Sequence, residues 1–346
     1  MVQTITTCTV AIVEVHTTVQ EAVHEAMELA SWRDHIQRGK PICLKVNLGW
    51  DLFIPGSVTS PWVIEGVIQT LRDWTDALYV VESDQVLEDI EKAYRKMRLS
   101  ELLARYNVKW LNMTNSRSVK IPVTGGKIFQ TLDLPEILLE SQLVTIPVMK
   151  THAKTQITGA IKNQWGCISK LRHNFHLVLN DALADINYAI RPVFAVVDAT
   201  IALEGNGPKS GHPRIVNRVL ASSDIVAVDA IQAKMMGFDP SSITHLQNCA
   251  DRGLGVISLN EIRCAGEKEI PNLHFTRARH NLVSKVEEFL RRSRLKKLVF
   301  DTPLFLLMLF GAKIWYYAWF YVFGGKNHWT KILQDPRYGK EWEPMI

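Results

Sequence analysis

Between Leu143 and Met149 the chain is apolar except for Thr145, and it then places Lys150, Thr151, His152 and Lys154 within the next five positions. An apolar run of this length reads as a buried strand, and α/β folds hold ligands outside the carboxyl ends of such strands. The stretch continues as a helix-like segment ending near Gly166. At helical spacing Thr155, Thr158 or Gly159, Lys162 and Gly166 fall along one face. That face presents hydroxyls and an amine on a surface left bare by two glycines. An amphipathic helix with solvated lysines is the plainer alternative, and the rest of the chain weighs against it by supplying polar clusters at other strand ends.

Taken in order, Thr9 to Val15 reads as a first strand, with a helix from Val19 to Trp32. Ile42 to Leu48 is a second strand ending in Lys45, Asn47 and Gly49. The glycine-and-hydroxyl loop from Gly56 to Pro61 feeds a helix reaching Asp73, with Ser60 suited to the cap and Pro61 to the first turn. Free N–H groups and the dipole at such a start bind anions, so a phosphate or carboxylate site is expected there. Neither GxxxxGK[ST] nor GxGxxG occurs, which argues against a standard nucleotide site. Asp76 to Ser83 is a third strand with Glu82 and Asp84 at its end. Glu88 to Tyr106 is a long charged helix, and Val108 to Met113 is a further strand. Residues 117–134 break the alternation with two short runs around Gly125-Gly126, a hairpin signal beside the main sheet.

Past Cys167, His173 and His176 stand at i,i+3, with Asp181 and Asp185 further along the same helix. Such a pair can share a metal, but no third ligand is defined, and a substrate-facing or solvated pair competes. Pro192 to Val197 is a compact strand with Asp198 at its tip, a position suited to an acid–base group or a cation ligand. Glu204-Gly205-Asn206-Gly207-Pro208 and Gly211-His212-Pro213 predict a rigid loop with positive φ angles, carrying Glu204 and Asn206. Arg218 to Ser222 is one more strand. Asp224 is an N-cap for a helix running to Gly237. Asp229, inside that apolar helix, needs a partner if buried, and Lys45, Lys150 or Lys162 are the candidates. Residues 240–256 form another helix, followed by a short strand near Val256.

The chain has 346 residues, 47% hydrophobic and 22% charged, enough for a large core. Much of the net charge of +5 lies in the run Arg291-Arg292-Ser293-Arg294-Leu295-Lys296-Lys297. That is too local for a nucleic-acid footprint and has no interleaved stacking aromatics. The five cysteines, Cys8, Cys43, Cys167, Cys249 and Cys264, form no CxxC, so neither a cysteine-bound iron–sulfur cluster nor a structural zinc site is expected. The N-terminus lacks the pattern of a secretory signal, and the cysteines fit a reduced, cytosolic setting.

The string MKTHAKTQITGAIKNQWG (Met149 to Gly166) resembles the signature of the DUF362 family (domain of unknown function 362). Lys45-Val46-Asn47, Glu204 to Pro208 and Ser223 to Gly237 fit the same pattern, spread over residues 40–256. The resemblance implies a fold and a site rather than a known reaction. Many members resemble redox proteins because they carry a ferredoxin-like segment with closely spaced cysteines, which this chain lacks. Redox chemistry is therefore the first expectation from the resemblance, and it would need an external electron donor protein.

Near the C-terminus, Pro303 to Phe323 forms a 21-residue apolar stretch. As a helix it would be about 31 Å long, against the roughly 30 Å of a bilayer core. Its charge, Lys313, would cost about 2.5–3.5 kcal/mol at the centre, partly offset by its apolar neighbours and by snorkelling. Trp315, Tyr316, Tyr317, Trp319, Phe320 and Tyr321 resemble an interfacial belt, so an in-plane or re-entrant helix competes with a span. A helix buried in a dimer interface is the soluble alternative. The basic run before it suits anionic headgroups and would keep the main domain cytoplasmic.

These readings combine into a three-layer α/β fold, a mostly parallel sheet with helices on both faces, a small β-hairpin insertion and a C-terminal apolar helix. The α/β domain occupies residues 1–290, and residues 291–346 form a basic linker and membrane-associating tail that contacts lipid through 291–325. Lys45, Asn47, Lys150, His152, Lys154, Thr158, Lys162 and Asn163 form a basic half-site for a carboxylate or phosphate. Asp198, Glu204, Asp224 and Asp229 form an acidic half that moves protons or holds a divalent cation, with Asn206 beside it. The expected function is an enzyme acting on an anionic, lipid-like substrate at a membrane. His152 would be its acid/base, Lys150 and Lys162 its anion clamp, and Asp198 or Glu204 its carboxylate. A non-redox isomerase, lyase or hydrolase using the same groups, and a non-catalytic assembly module, are the alternatives.

Overall fold

The structure is a computed structural model that describes residues 8–85, 89–168, 170–278, 289–293, 296–300, 302 and 304–345, without the side chains of Lys170, Leu171, His173, Lys296 and Lys297. The strands are β1 (Cys8–Glu14), β2 (Ile42–Lys45), β3 (Leu78–Glu82), β4 (Lys109–Asn112), β5 (Ser118–Pro122), β6 (Thr131–Pro135), β7 (Gln142–Thr145), β8 (Val148–His152), β9 (Gln156–Thr158), β10 (Phe194–Glu204), β11 (His212–Ser222) and β12 (Ile262–Gly266). The α-helices are α1 (Val19–Leu29), α2 (Pro61–Leu71), α3 (Ile90–Lys96), α4 (Leu99–Arg105), α5 (Ile137–Glu140), α6 (Ala160–Asn163), α7 (Leu179–Ile190), α8 (Ile225–Met235), α9 (Thr244–Asp251), α10 (Lys296–Phe300), α11 (Leu304–Tyr321), α12 (Asn327–Leu333) and α13 (Gly339–Trp342).

A ten-stranded sheet runs in the order β12-β1-β11-β10-β7-β2-β3-β4, with β8 beside β10 and β9 beside β8. Strands β10, β7, β2, β3 and β4 run parallel, whereas β11 lies antiparallel between β10 and β1. The period of two along each strand divides the core between the two faces. In β1, Ala11 and Val13 join a cluster with α1, α2, α3 and α4, while Val10 and Ile12 join one with α6, α7, α8 and α9. The fold is thus α/β with helices on both faces. The hairpin expected around Gly125-Gly126 is β5–β6, a separate two-stranded sheet registered from Ser118↔Pro135 to Pro122↔Thr131.

Several elements differ from the sequence reading, each for a local reason. The run Leu143–Met149 is two strands, because proline at 147 has no N–H for the ladder. The chain steps there from β7 to β8, both paired with β10. The segment after His152 is no helix at first, since β9 folds back antiparallel on β8, pairing Lys150 with Thr158. Helix begins only at Ala160, so Thr155 and Thr158 do not share a helical face with Lys162 and Gly166. The long charged helix is broken into α3 and α4 at Arg98, which has φ 52°. His176 lies in a 3-10 segment, Lys170–Val178, ahead of α7, which carries Asp181 and Asp185. Asp198 sits inside β10 and not at its tip, since the strand runs on to Glu204. The helix expected over 240–256 is the shorter α9, preceded by a 3-10 turn, and the strand after it is β12.

The apolar C-terminal helix is α11, 18 residues long. Residues beyond the expected boundary at 290 pack against the rest of the chain. Trp329, Ile332, Tyr338 and Trp342 are buried in the cluster that contains Phe53 and Trp62. Trp342 meets Trp62 edge-on at 5.0 Å, and Tyr338 Oη donates to Asn217 Oδ1 at 2.7 Å. Burying four large aromatic or aliphatic side chains stabilises this docking by several kcal/mol.

Candidate functional site

Strands β2 and β3 are parallel neighbours registered with Lys45 opposite Val81, so Lys45 and Glu82 emerge side by side. Lys45 Nζ lies 2.9 Å from both Glu82 oxygens and donates to Val46 O at 2.7 Å. Glu82 also accepts from Leu48 N at 3.2 Å and Ser83 N at 2.9 Å. Both side chains are fully buried, at 1% and 2% exposure. Gly166 closes over them, and a Cβ there would lie 2.9 Å from Lys45 Nζ and 2.8 Å from Glu82 Oε1. Glycine at 166 permits that approach, and Lys45, paired with Glu82, braces the strand tips.

On β8, Lys150 Nζ donates to Asn47 Oδ1 and to Ser57 O, each at 2.7 Å. Asn47 Nδ2 passes the chain on to Asn163 Oδ1 at 3.1 Å, and Asn163 Nδ2 donates to Lys45 O and Thr145 Oγ1 at 3.0 and 2.9 Å. These bonds orient both amides and pin α6 across the ends of β2, β7 and β8. Burial, with the nearby charge of Lys162, brings the Lys150 amine down to about 7.

Lys162, on α6, is half-buried and makes no hydrogen bond or ion pair with any described residue. Burial and then the charges of Arg172, Lys154 and Lys45 bring it down to about 8. His152 accepts at Nδ1 from Lys154 N (3.1 Å) and Thr155 N (3.3 Å). The neutral ring therefore carries its proton on Nε2 and offers a donor there. Burial, followed by the charge of Lys162, holds His152 well below the usual histidine range, so the ring is neutral at pH 7. Lys154 Nζ lies 3.2 Å from His176 Nδ1, and the Trp165 ring stacks on His176 with centroids 6.1 Å apart. Arg172 donates to Ser83 Oγ (3.0 Å), Ile168 O (3.2 Å) and Asp84 O (2.5 Å). It lines a cavity of about 220 Å³ with Ser83, Asp84, Gly166 and Cys167.

The expected acidic half does not join this cluster. Asp198 accepts from Ser60 N at 2.7 Å and from Thr200 N and Oγ1 at 3.1 and 2.7 Å. It is itself the carboxylate held at the start of α2, where the sequence suggested an anion site. Glu204 pairs with Arg214 at 3.1 Å and accepts from Thr276 N. Asp224 caps α8 through Val226 N and Ala227 N, as the sequence indicated. Asp229 is paired with no lysine. It accepts from Ala160 N at 2.7 Å and Ile161 N at 3.0 Å, capping α6 from below. A Cβ at position 159 would lie 2.1 Å from Asp229 Oδ1, so only glycine lets this carboxylate approach. Desolvation pushes Asp229 up to about 7. Thr158 is buried in β9, where its carbonyl accepts from Gln232 Nε2. The Asn206 side chain is exposed, and the loop around it packs on Thr151, whose Oγ1 donates to Gly205 O at 2.9 Å.

The structure thus gathers Asn47, Lys150, His152, Lys154, Lys162 and Asn163, with the Lys45–Glu82 pair behind them. It leaves Asp198, Glu204, Asp224 and Asp229 in supporting roles. Arg172 and Glu82 were not assigned to the site from sequence; the tip position of Glu82 beside Lys45 was the readable signal, whereas Arg172 sits in an irregular segment. The His173 side chain lies outside the described residues, and among the described residues no three His, Cys, Asp or Glu side chains gather as a metal site. The five cysteines are unbonded and dispersed.

The sequence profile described as domain of unknown function (DUF362) matches residues 42–234, more than half of the chain. The chain belongs to the DUF362 family. Every residue of the basic cluster falls inside that segment, and α11 to α13 fall outside it. Among curated proteins, the chain is similar to a thylakoid-associated protein of Synechocystis sp., with 30% identity over 129 residues. That match covers 35% of this chain and 40% of the relative, so the chain spans well under half of that relative's length. Among solved structures, the apoprotein of lactate racemase from Thermoanaerobacterium thermosaccharolyticum aligns with a TM-score of 0.36 and 13% identity. It covers 70% of this chain and 56% of that one, a likeness too slight to carry an argument.

Proposed function

We propose that this DUF362 protein is a membrane-surface enzyme that binds a small carboxylate- or phosphate-bearing substrate in the basic cluster around Lys162. The observation that carries the reading is Lys162, a half-buried amine that makes no hydrogen bond or ion pair with a described residue and feels the charges of Arg172, Lys154 and Lys45. Of the carboxylates beside the cluster, Glu82 is held by Lys45 and Asp84 acts on Arg172. An ammonium placed like Lys162 is stabilised by an anion, and charge-assisted bonds to it are worth about 1.5–3 kcal/mol each. In this reading Lys162 and Lys154 contact the anion, and Lys150 adds field from behind. His152 Nε2–H donates to the reacting oxygen as a neutral acid, since its Nδ1 is committed to backbone N–H groups.

The redox expectation came from the family's ferredoxin-like members, and no side chain in the cluster adds support to it. Proton transfer and anion binding are what the lysines and His152 themselves support. Membrane attachment is supported by α11, the one helix among the described residues long and apolar enough to cross a bilayer. A thylakoid-associated relative points the same way. We place α11 in the plane of the membrane surface, with the body on the cytoplasmic side.

Calorimetric titration with inorganic phosphate or pyruvate tests the site. Lys162→Met should weaken binding by about tenfold or more, matching the loss of one charge-assisted bond. Affinity should also fall as pH rises through 7 and 8, because Lys150 and then Lys162 lose their protons there. Equal affinity in wild type and variant across that range would remove Lys162 from the site.

A further inference from the structure

We propose that Lys162 forms an imine with the carbonyl carbon of an anionic carbonyl compound, a 2-oxo acid or a phosphorylated aldehyde or ketone, so that the protein works by covalent amine catalysis. The inference rests on the anion-binding reading above and narrows its substrate class.

Position sets Lys162 apart from the other lysines of the cluster. Lys45 is locked on Glu82, and Lys150 is spent on Asn47 and Ser57. Lys154 points to His176. Lys162 is partly open, as Lys154 is, but alone among these four it makes no hydrogen bond or ion pair with a described residue. Its backbone is held firmly, with Asp229 capping the first turn of α6 and Asn163 bonded to β2 and β7 on the other side. An amine on a fixed stem, surrounded by cations and without a counter-ion, is the arrangement that activates lysine as a nucleophile. With the amine near 8, about a tenth of it is neutral at pH 7, against fewer than about one in a thousand for an ordinary lysine.

The step balances without an oxidant. The neutral Nζ attacks the carbonyl carbon, and the C=O pair moves to oxygen, which takes a proton from His152 Nε2–H. The nitrogen loses a proton back to the ring. The carbinolamine hydroxyl then takes a proton from His152 Nε2–H and leaves as water, and the nitrogen's remaining proton returns to the ring, leaving C=N. The imine becomes cationic when protonated, which the neighbouring lysines oppose. A carboxylate or phosphate on the substrate offsets that charge, so a neutral aldehyde is a poor partner and an anionic carbonyl compound a good one.

The test is reductive trapping of the full-length protein with pyruvate and sodium borohydride, followed by intact mass and peptide mapping. One adduct per chain on Lys162, formed at least about tenfold faster than on exposed lysines such as Lys268, is the expected result. Lys162→Arg should lose that adduct and keep its melting temperature. If the arginine variant fails to fold, the wild-type map alone decides. Phosphate should compete with trapping. Trapping should also rise with pH through 8, where simple anion binding falls. If pyruvate binds by calorimetry but the adducts scatter over surface lysines, the imine is overturned and the anion site stands. If neither pyruvate nor phosphate binds, both fall.

Discussion

Replacing Lys45 with methionine should destabilise the protein by about 3–5 kcal/mol, the cost of stranding one member of a buried ion pair. The pair has no route to water, with Lys45 and Glu82 exposed by 1% and 2%. Glu82 is fixed by two backbone donors and cannot swing out when its partner is removed. Thermal melting of the variant against wild type reads this loss directly. Adding Glu82→Gln should restore most of the loss, because an amide oxygen still accepts from Leu48 N and Ser83 N and no charge is left buried. A Lys45→Met protein that melts like wild type at pH 8 would show that the pair does not brace the strand tips.

This pair also marks where sequence reading stops. Lys45 and Glu82 were each legible as polar residues ending apolar runs, because β2 and β3 are buried and their period announces them. Their pairing was not, since it depends on two strands 37 residues apart becoming parallel neighbours in one register. The same limit explains Asp229. An acid in an apolar helix needs a partner, and the sequence offered lysines because charge invites charge. The actual partners are two N–H groups of a four-residue helix reachable only across Gly159. Asp198 failed differently. FAVV read as a complete strand, whereas β10 continues through Asp198 to Glu204 and the carboxylate turns towards Ser60. Local patterns carried the hairpin β5–β6, the cap at Asp224 and the apolar helix α11. The cluster of lysines was legible because the chain supplies Lys150, Lys154 and Lys162 within one stretch, even though its helical phase was wrong.

Membrane binding should be lost when Leu307, Phe310 and Ile314 are replaced together by aspartate. Leu307 and Phe310 are 64% and 62% exposed and Ile314 53%, and with the 60%-exposed Tyr321 they form a stripe at spacings of three, four and seven along α11. Each apolar side chain contributes about 1.5–3 kcal/mol when fully buried, so losing three should weaken vesicle binding by more than about a thousandfold in flotation with anionic liposomes. The opposite face is already taken. Trp50 meets Tyr316 at 5.2 Å, Lys96 lies over Phe320, and Phe320 is 3% exposed. A span would have only Leu304 to Trp315 clear of the body, 12 residues, or about 18 Å against roughly 30 Å of hydrocarbon. Downstream, Trp329 and Trp342 are packed with Phe53 and Trp62, which ties the chain after α11 to the same body as the basic cluster. Cysteines introduced at exposed Arg292 and Lys340, in a background with Cys8 and Cys264 changed to serine, should therefore react with an impermeant maleimide from the same side of sealed vesicles. Labelling of the two from opposite sides would mean that α11 crosses the bilayer and that α12 and α13 leave the core. Undiminished flotation of the triple aspartate variant would mean that the stripe does not meet lipid.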